Sequence, residues 1–289
     1  MSNAQGADFS FWQDNNSTPQ PVNFEKARAG GLSHAMIKTS QALYADPDYI
    51  INWANAKRWL YRSPYHFLVW DKSPLQQAQV YWSLLANDPP ELPLWVDFEW
   101  WSTIPANAFD ILQKFLEKLK LLAPGRPLGI YTAKSFWDQY GTRDSYWKQY
   151  LLWLCDINGP VEVPKPWDTW NWHQYTFKGD GLLYGAESKD LDLDRYNGTL
   201  EQMQARFNLA PLPDVTVIPS NTGRVQIDGL RLRQGPSTTE RVLGSLNTGV
   251  DVEILERVTD ANGIWLRVTS EGWVAAERYG HVYVATGGQ

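Results

Sequence analysis

The sequence is poor in residues that bind metals or form disulfides. Its 289 residues include a single cysteine, Cys155, which excludes an intrachain disulfide and a cysteine-rich zinc site. The four histidines show no metal-ligand spacing among themselves, and nothing in the sequence implies a metal or an organic cofactor. No apolar run approaches the ~20 residues that a membrane-spanning helix requires, so we expect no membrane span.

The sequence also lacks an excess of positive charge. Lysine and arginine together number 26, against 32 aspartate and glutamate residues, which gives a formal net charge of −6. A general nucleic-acid binder usually carries a basic excess or stripe, so we expect no nucleic-acid partner. The hydrophobic fraction of 43% and the charged fraction of 20% are ordinary globular values and argue against disorder.

Tryptophan, by contrast, is unusually abundant. It occurs 16 times, beside 14 tyrosines and 10 phenylalanines, and fourteen of the tryptophans lie at or before Trp172. Flat aromatic faces suit a substrate with flat apolar faces, and a sugar ring is one such substrate. The alternative is that these side chains fill a large core.

Composition divides the chain near residue 210. All twelve lysines lie at or before Lys189, and residues 209–223 contain three prolines without a clear hydrophobic period. Such a segment is typical of an extended linker. We therefore predict a large domain over residues 5–208 and a small domain over residues 224–289.

The large domain alternates short apolar runs with helical patterns. Helices are predicted over residues 73–85, where Ser73 and Pro74 supply a cap and a first turn, and over residues 107–122, where apolar residues recur at helical spacing. Repeated strand–helix–strand units at ~200 residues indicate a parallel sheet closed into a barrel. Helical patterns become sparse after Tyr150, which argues against a regular eightfold barrel. Several short strand patterns in the small domain predict an antiparallel barrel.

The strongest local signal is a pair of acids, Asp97 and Glu99, within an apolar and aromatic run at residues 94–101. Positions i and i+2 of a strand share a face, so both carboxylates would project together, roughly 6.6 Å apart along the strand. Burying two acids together raises the pKa of one of them. A protonated glutamic acid can then donate to a leaving oxygen, as glycoside hydrolysis requires. The alternative is an exposed strand end with two solvated acids.

Three more acids occupy predicted strand ends. Asp8 follows the first apolar run, and Asp192 and Asp194 follow the last candidate strand. In a closed barrel the first and last strands are neighbours, so we expect Asp8 and Asp192 at the same mouth as Asp97 and Glu99. Each acid alone is more typical of a turn or helix cap, and only their coincidence indicates an active site.

These segments resemble glycoside hydrolase family 25, the lysozyme or N-acetylmuramidase family. Similar motifs occur in the family's order: Gly6-Ala7-Asp8-Phe9-Ser10 (G-x-D-x-S), Met36-Ile37-Lys38, Tyr65-His66-Phe67 (Y-H-F), Asp97-Phe98-Glu99 (D-x-E), Ile130-Tyr131-Thr132 (I-Y-T), Leu152-Trp153, Gln174-Tyr175 and Asp192-Leu193-Asp194 with Gly198 (D-x-N-x-x-x-G). The resemblance implies an α/β fold, an irregular (β/α) TIM-like barrel with five βα units plus extra strands. It also implies cleavage of the β-1,4 bond between N-acetylmuramic acid and N-acetylglucosamine in peptidoglycan.

The resemblance assigns a role to each acid. Glu99 would be the general acid, and Asp97 would stabilise the oxocarbenium ion or orient the substrate's acetamido group. Asp8 and Asp192 would shape the electric field and position the sugar and water. Predicted substrate-binding residues, for which core packing is the alternative, are Tyr65, Tyr131, Trp153, Gln174 and Tyr175.

The sequence departs from the family pattern in three places. Phe11 and Trp12 stand where the family often has two histidines. His173 is inserted into the segment usually read W-Q-Y, and Ser63-Pro64 replaces the glycine expected before Y-H-F. None of these changes removes an acid, so they affect the expected substrate contacts and not the expected reaction.

The small domain resembles a bacterial SH3-like domain. Residues 230–237, Leu-Arg-Leu-Arg-Gln-Gly-Pro-Ser, are similar to its L-N-V-R-x-G-P-S motif, and residues 272–274 to its G-W-V motif. The resemblance implies a small all-β barrel that binds a peptide stem or cross-bridge of the cell wall, with a spacer role as the alternative. We therefore expect peptidoglycan as the partner, its glycan strand lying in the barrel groove, and a monomeric protein.

The expected site of action is the cell wall or the extracellular space. The polar residues 1–4 show no signal peptide, so we expect a removed leader or a phage-type release. Two other functions stay open at this point. One is a catalytically silent wall-binding lectin, against which the intact acids argue. The other is hydrolysis of a related N-acetylated glycan such as chitin, but the chitinase-like D-x-D-x-E pattern is broken here by Trp95.

Overall fold

The computed structural model describes residues 2–14, 21–157, 160–213, 222–260, 262–269, 272–279 and 281–286. Contacts divide the chain into two compact units, residues 1–215 and residues 216–289. Residues 214–221 of the predicted linker lie outside the described residues. Leu209 and Leu212, at its beginning, pack against the first unit.

The first unit combines strands and helices along the sequence. Its strands are β1 (Gln5–Phe9), β2 (His34–Gln41), β3 (Tyr44–Ala45), β4 (Tyr61–Phe67), β5 (Leu94–Asp97), β6 (Leu128–Ala133), β7 (Leu151–Cys155), β8 (Trp172–Asp180) and β9 (Asp190–Tyr196). Its α-helices are α1 (Phe24–Ala29), α2 (Tyr49–Ala56), α3 (Pro74–Leu85), α4 (Ala108–Leu122), α5 (Lys134–Tyr140) and α6 (Leu200–Phe207), and short 3₁₀ helices span Phe11–Gln13 and Ser145–Gln149.

Eight of these strands close into a barrel. Their order around it is β1-β2-β4-β5-β6-β7-β8-β9, and β9 pairs with β1 to close the ring, while β3 is a short antiparallel partner of β2. Neighbours from β1 to β8 are parallel, whereas β9 is antiparallel to both β8 and β1. Helices α1 to α5 each connect consecutive parallel strands, so the predicted irregular barrel with five βα units plus extra strands is confirmed.

Local sequence chemistry sets the helix boundaries. Ser73 accepts a hydrogen bond from the Gln76 backbone N–H and Pro74 occupies the first turn, so α3 begins where the sequence predicts. Helix α4 begins directly after Asn107. It buries Ile111, Phe115 and other apolar residues of the same stripe against the sheet, as the helical spacing predicts.

Strand alternation separates two cores in the first unit. Outward positions such as Phe9, Val96 and Ile130 pack under the helices. Inward positions form what we call the lumen cluster, whose buried residues are Ala4, Met36, Tyr61, Tyr65, Leu92, Trp95, Tyr131, Trp153, Trp172, Tyr196 and Met203. The ring centroid of Trp153 lies 4.5 Å from that of Tyr131 and 5.8 Å from that of Trp95. Part of the tryptophan excess therefore fills the interior of the barrel.

Glycine makes room for one of these large rings. Gly129 on β6 pairs directly with Trp95 on β5. A Cβ atom at position 129 would lie 2.0 Å from the Trp95 ring, far inside van der Waals contact. The small residue and the large ring thus share one layer of the barrel interior, the small–large alternation that narrow barrels use.

The second unit is all β in its described part. Strands β10 (Thr222–Val225), β13 (Asp251–Glu253) and β18 (Val284–Thr286) form one sheet, in the order β13-β10-β18. A second sheet, in the order β12-β11-β16-β15-β14, contains β11 (Leu230–Arg233), β12 (Val242–Leu246), β14 (Glu256–Asp260), β15 (Gly263–Arg267) and β16 (Trp273–Arg278), with β17 (His281–Val282) paired to β16. Neighbouring strands of this second sheet pair antiparallel, and the second unit has a small apolar core. The predicted small β domain is thus confirmed. Among the helices of the described ranges, none has the length and apolar content needed to cross a membrane.

Candidate active site

The predicted acids on β1 and β5 face the interior of the barrel near its carboxyl-terminal mouth. Asp8 lies two residues after Gly6, and Asp97 lies two residues after the lumen residue Trp95, so alternation directs both carboxylates inward. Both side chains are buried. Because the carboxyl ends of parallel barrel strands meet at one rim, these acids belong to the same mouth.

Asp192 reaches this mouth by a different route from the predicted one. It lies near the beginning of β9, so the prediction that it ends a strand is wrong. Because β9 runs antiparallel to β1, its beginning lies at the mouth. The register pairs Gly6 with Asp194 and Ala7 with Leu193, and one further step places Asp8 opposite Asp192.

Glu99 also departs from the predicted geometry. Strand β5 ends at Asp97, so Glu99 lies in the following loop, and the strand spacing predicted between the two carboxylates does not apply. Glu99 is half-buried, whereas Asp97 is almost completely buried. The loop therefore leaves Glu99 with more freedom to reach a bound molecule than Asp97 has.

Burial and like charge raise the proton affinity of this pair. Burial, together with the charge of Asp192, raises the pKa of Glu99 to about 7. Burial, together with the charge of Glu99, raises the pKa of Asp97 well above its ordinary value. Negative charges held close together in a buried site disfavour the ionised form of each group. The same burial raises the pKa of Asp192 to about 6.

Lys38 places a buried positive charge among these acids. It lies on β2 two residues after the lumen residue Met36, and its Nζ donates to Gln41 Oε1 at 2.9 Å. Its charge lowers the pKa of Asp97 and of Glu99, against the larger effect of burial. Sequence reasoning matched the segment around Lys38 to a family strand without assigning this residue to the site.

Asp194 is a second site residue that sequence reasoning missed. It is fully buried, and its Oδ1 accepts a hydrogen bond from Trp153 Nε1 at 2.7 Å. Its Oδ2 has no hydrogen-bond partner within the described part of the chain, and burial raises its pKa well above the ordinary value. The signal was present, because Asp194 stands two residues after Asp192 and therefore on the same face of β9.

Gln174 connects the acids of β1 and β9. Its Nε2 donates to Asp8 Oδ2 at 2.8 Å and lies 3.5 Å from Asp192 Oδ2. The Tyr131 hydroxyl donates to Gln174 Oε1 at 2.9 Å, which fixes the orientation of the amide. The pKa of Asp8 is nevertheless raised, because burial and the charges of Asp192 and Asp194 outweigh this hydrogen bond.

Four of the five predicted substrate-binding residues lie with the acids. Tyr65, Tyr131 and Gln174 are buried on inward positions, and burial and the charges of Asp8 and Asp97 raise the pKa of Tyr65. Trp153 pairs in register with Tyr131 and donates a hydrogen bond to Asp194.

The structure does not bring Tyr175 to the acids. Its hydroxyl donates to Gln5 Oε1 at 3.0 Å, and its ring packs against the core under the helices, on the other face of β8. The described residues contain no group of three or more histidine, cysteine, aspartate or glutamate side chains arranged to hold a metal ion.

Comparison with known proteins gives two matches to family models. The model of the family described as "Glycosyl hydrolases family 25" matches residues 7–181, more than half of the chain. The description "Bacterial SH3 domain" matches residues 228–279. A search of curated proteins finds no match.

Several solved structures share the fold of the first unit. A bacterial lysozyme from Streptomyces coelicolor aligns with 24% identity and a TM-score of 0.62, over 72% of this chain and 98% of the other. A family 25 glycosyl hydrolase from Bacillus anthracis aligns with 20% identity and a TM-score of 0.58, over 70% and 92%. The catalytic domain of endolysin ply40 from bacteriophage P40 of Listeria monocytogenes aligns with 18% identity and a TM-score of 0.53, over 71% and 97%. At these identities the likeness establishes a common fold.

Proposed function

Because the chain belongs to glycosyl hydrolase family 25 and carries a bacterial SH3 domain, we propose that it is a muramidase of the bacterial cell wall. Its substrate is peptidoglycan, and the bond cleaved is the β-1,4 bond between N-acetylmuramic acid and N-acetylglucosamine. The observation that carries this proposal is the convergence of Glu99 with Asp97, Asp8 and Asp192 at the mouth of the barrel, where Glu99 has a pKa of about 7.

Glu99 is the general acid in this proposal. A pKa of about 7 leaves a large fraction of Glu99 protonated at neutral pH, which a proton donor requires. Its loop position and partial exposure let the carboxyl group approach the glycosidic oxygen. As the bond breaks, the proton moves to the leaving sugar and Glu99 becomes a carboxylate.

Asp97 assists the same step through its carboxylate. When Glu99 holds the proton, the carboxylate of Asp97 stabilises the positive charge that develops at the anomeric centre. Asp97 Oδ1 is buried without a hydrogen-bond partner in the described residues, so it can accept the N–H of the substrate's acetamido group. This contact would orient the acetamido oxygen for attack on the anomeric carbon, with water completing the hydrolysis. A thiazoline analogue of N-acetylmuramic acid that fails to inhibit would argue against this assisted route.

Asp8 and Asp192 set the electrostatic background of the reaction. Their charges raise proton affinities within the cluster, and Asp192 raises that of Glu99 directly. Gln174, held by Tyr131, fixes Asp8 at 2.8 Å and keeps an amide between the two aspartates. The proposed role of these residues is to position the sugar and the attacking water.

Mass spectrometry of digested peptidoglycan tests the reaction. We expect the wild type to release fragments that end in a reducing muramic acid. Glu99→Gln should reduce the rate by about 10²- to 10⁴-fold while retaining substrate binding, since it removes the proton donor and keeps the shape. Glu162→Gln, an exposed side chain in a salt bridge with Lys134, is the matched control and should leave the rate unchanged.

Other products would redirect the proposal. Intact glycan from the wild type, with retained wall binding, would favour the catalytically silent lectin. Cleavage of chitin but not of peptidoglycan would favour the related N-acetylated glycan. Fragments that differ only in their peptide would identify a different bond altogether.

The second unit is the proposed wall-binding domain. We assign residues 5–208 to the catalytic barrel, residues 209–223 to the linker and residues 224–289 to wall binding through a peptide stem or cross-bridge. Deleting residues 216–289 retains Leu209 and Leu212, which pack on the barrel. This truncation should lower binding to whole walls and leave hydrolysis of soluble glycan fragments intact. Unchanged sedimentation with purified walls would refute the anchoring role.

Action on peptidoglycan places the protein at the cell wall or outside the cell. The monomeric state stays a prediction, which light scattering of the purified protein would test.

A further inference from the structure

A rigid, exposed tryptophan follows the first acid of the site. Ser10, directly after β1, caps the 3₁₀ helix Phe11–Gln13: its Oγ accepts from the Trp12 N–H at 3.3 Å, and its own N–H donates to Gln13 Oε1 at 2.7 Å. The Trp12 side chain is 71% exposed, and its ring centroid lies 4.3 Å from that of Phe11. A large apolar ring is therefore held toward solvent four residues after Asp8.

A second exposed tryptophan, Trp100, directly follows Glu99 in the sequence. Trp100 is 42% exposed, and its ring contacts Phe136 and Tyr140 of α5 edge-on, at centroid distances of 4.9 Å and 6.2 Å. Its neighbour Trp101 packs against Trp70 at 5.1 Å. Edge-on contacts of this kind hold the ring in place without covering all of its surface.

The two tryptophans lie at separate points around the rim of the barrel. Trp12 follows β1 and Trp100 follows β5, which lie three strands apart in the closed ring of eight. Both segments leave the carboxyl ends of their strands, so both lie at the mouth. A chain molecule that crosses the mouth from the end of β1 to the end of β5 therefore passes both tryptophan segments.

The chemistry of the mouth favours a carbohydrate as the occupant. Asp8, Asp97 and Asp192 offer oxygen acceptors, and the hydroxyl and amide groups of a sugar chain can donate to them. An apolar peptide face would bury these acids without partners, at a high cost in free energy. Exposed aromatic faces beside buried acceptors match a ligand with flat apolar faces and polar edges.

We propose that Trp12 and Trp100 stack on sugar residues to either side of the bond that is cleaved, so that the enzyme selects glycan strands long enough to reach both rings. The identity of the sugars rests on the proposed function. The stacking itself does not depend on cleavage. Trp12 lies in the segment where the sequence departs from the family pattern, so this contact would be a property of this chain.

Calorimetric titration with uncleaved peptidoglycan oligosaccharides of two, four, six and eight sugars tests the proposal. The host is the Glu99→Gln variant, in which we expect binding to be retained and cleavage to be slow on the time scale of the titration. We expect affinity to rise with length, and Trp12→Ala or Trp100→Ala to weaken binding of the octasaccharide about 5- to 10-fold, while binding of the disaccharide stays unchanged. The double variant should combine the two losses, because the sites lie far apart.

Two control variants sharpen the result. Trp12→Phe retains an aromatic face and should recover most of the lost affinity. Leu121→Ala removes a 78% exposed apolar side chain near the end of α4 and should change nothing at any length. Equal losses at every length, or no loss at any length, would overturn the proposal. If the wild type fails to cleave the octasaccharide, the proposed function fails, while a length-dependent loss of binding still supports stacking.

Discussion

Two buried clusters of charge in the first unit follow opposite rules. Arg62 on β4 is fully buried and donates to carboxylate oxygens of Asp88 and Glu91 and to the Trp53 carbonyl, at 2.7–3.2 Å. Hydrogen bonds and charge from Arg62 lower the pKa of Asp88 to about 2. At the mouth of the barrel, the pKa values of five carboxylates are raised, and the charge of Lys38 opposes this shift for Asp97 and Glu99.

The difference separates charge that holds the fold from charge that does chemistry. Around Arg62 every buried charge has an opposite partner, which offsets its desolvation. At the mouth, Asp97 Oδ1 and Asp194 Oδ2 are buried without partners among the described residues, which costs free energy. Carboxyl groups with strongly shifted pKa values occur most often at functional sites. The first cluster should therefore respond to mutation in stability, and the second in activity and pH dependence.

The largest expected effect on stability comes from breaking the paired cluster. Arg62→Met should lower the free energy of unfolding by about 3 kcal/mol, because Asp88 and Glu91 lose their buried partner and only partly regain water. Urea unfolding at pH 7 measures this change. Lys57→Met is the matched control: Lys57 also pairs with Asp88, but its side chain is 58% exposed, and the loss should stay below about 1 kcal/mol. Equal losses would show that burial does not distinguish the two pairs.

The next effect concerns the pH dependence of activity. Glu99 donates only when protonated, so kcat/KM should fall about tenfold per pH unit above its pKa of about 7. Lys38→Met removes the charge that lowers the pKa of Glu99, so the falling limb should move to higher pH. Lys114→Met, an exposed lysine of α4, should leave the limb in place. Rates on a soluble glycan between pH 5 and pH 9 provide the measurement, and a flat profile would contradict a carboxylic acid donor.

The smallest effect is the free energy that Asp194 costs the fold. Its folded-state pKa is raised, so the stability that it contributes is present at low pH and is lost as the pH rises through that pKa. Asp194→Asn cannot ionise, and its oxygen still accepts from Trp153 Nε1. We expect a gain of about 1 kcal/mol at pH 8, about 2–4 °C in Tm, and little gain at pH 4. The exposed Asp190→Asn on the same strand is the control, and a pH-independent effect at position 194 would contradict the assignment.

Much of the fold follows from local sequence chemistry. Ser73 with Pro74 and the apolar stripe after Asn107 define α3 and α4 to within a residue, because caps and helical periodicity act over a single turn. Barrel closure was also predictable, since apolar strands in that number leave few other ways to bury both faces. The direction of β9 was not, because alternation of Leu191 and Leu193 identifies the faces of a strand and not its direction.

The sequence was sufficient to predict which acids of β1 and β5 face the interior of the barrel, but not where each strand ends or which distant residues the acids contact. Strand periodicity brought Asp8 and Asp97 inward, and it could not reveal that β5 ends before Glu99. Periodicity does place the adjacent residues Gln174 and Tyr175 on opposite faces of β8, so only one of them could have faced the acids. The burial of Asp194 depends on Trp153, 41 residues away in sequence, and such a contact is set by tertiary packing alone.

The contact between Gly129 and Trp95 has a consequence for how this barrel can diverge. A methyl group at position 129 would occupy the space of the indole, so neither residue can change first without a collision or a cavity. We therefore expect positions 95 and 129 to change together in evolution, so that related sequences differ at both positions or at neither. Trp95 stands two residues before Asp97 on β5. A change in side-chain size at Gly129 on β6 would therefore shift Trp95 and, through the strand, the position of Asp97.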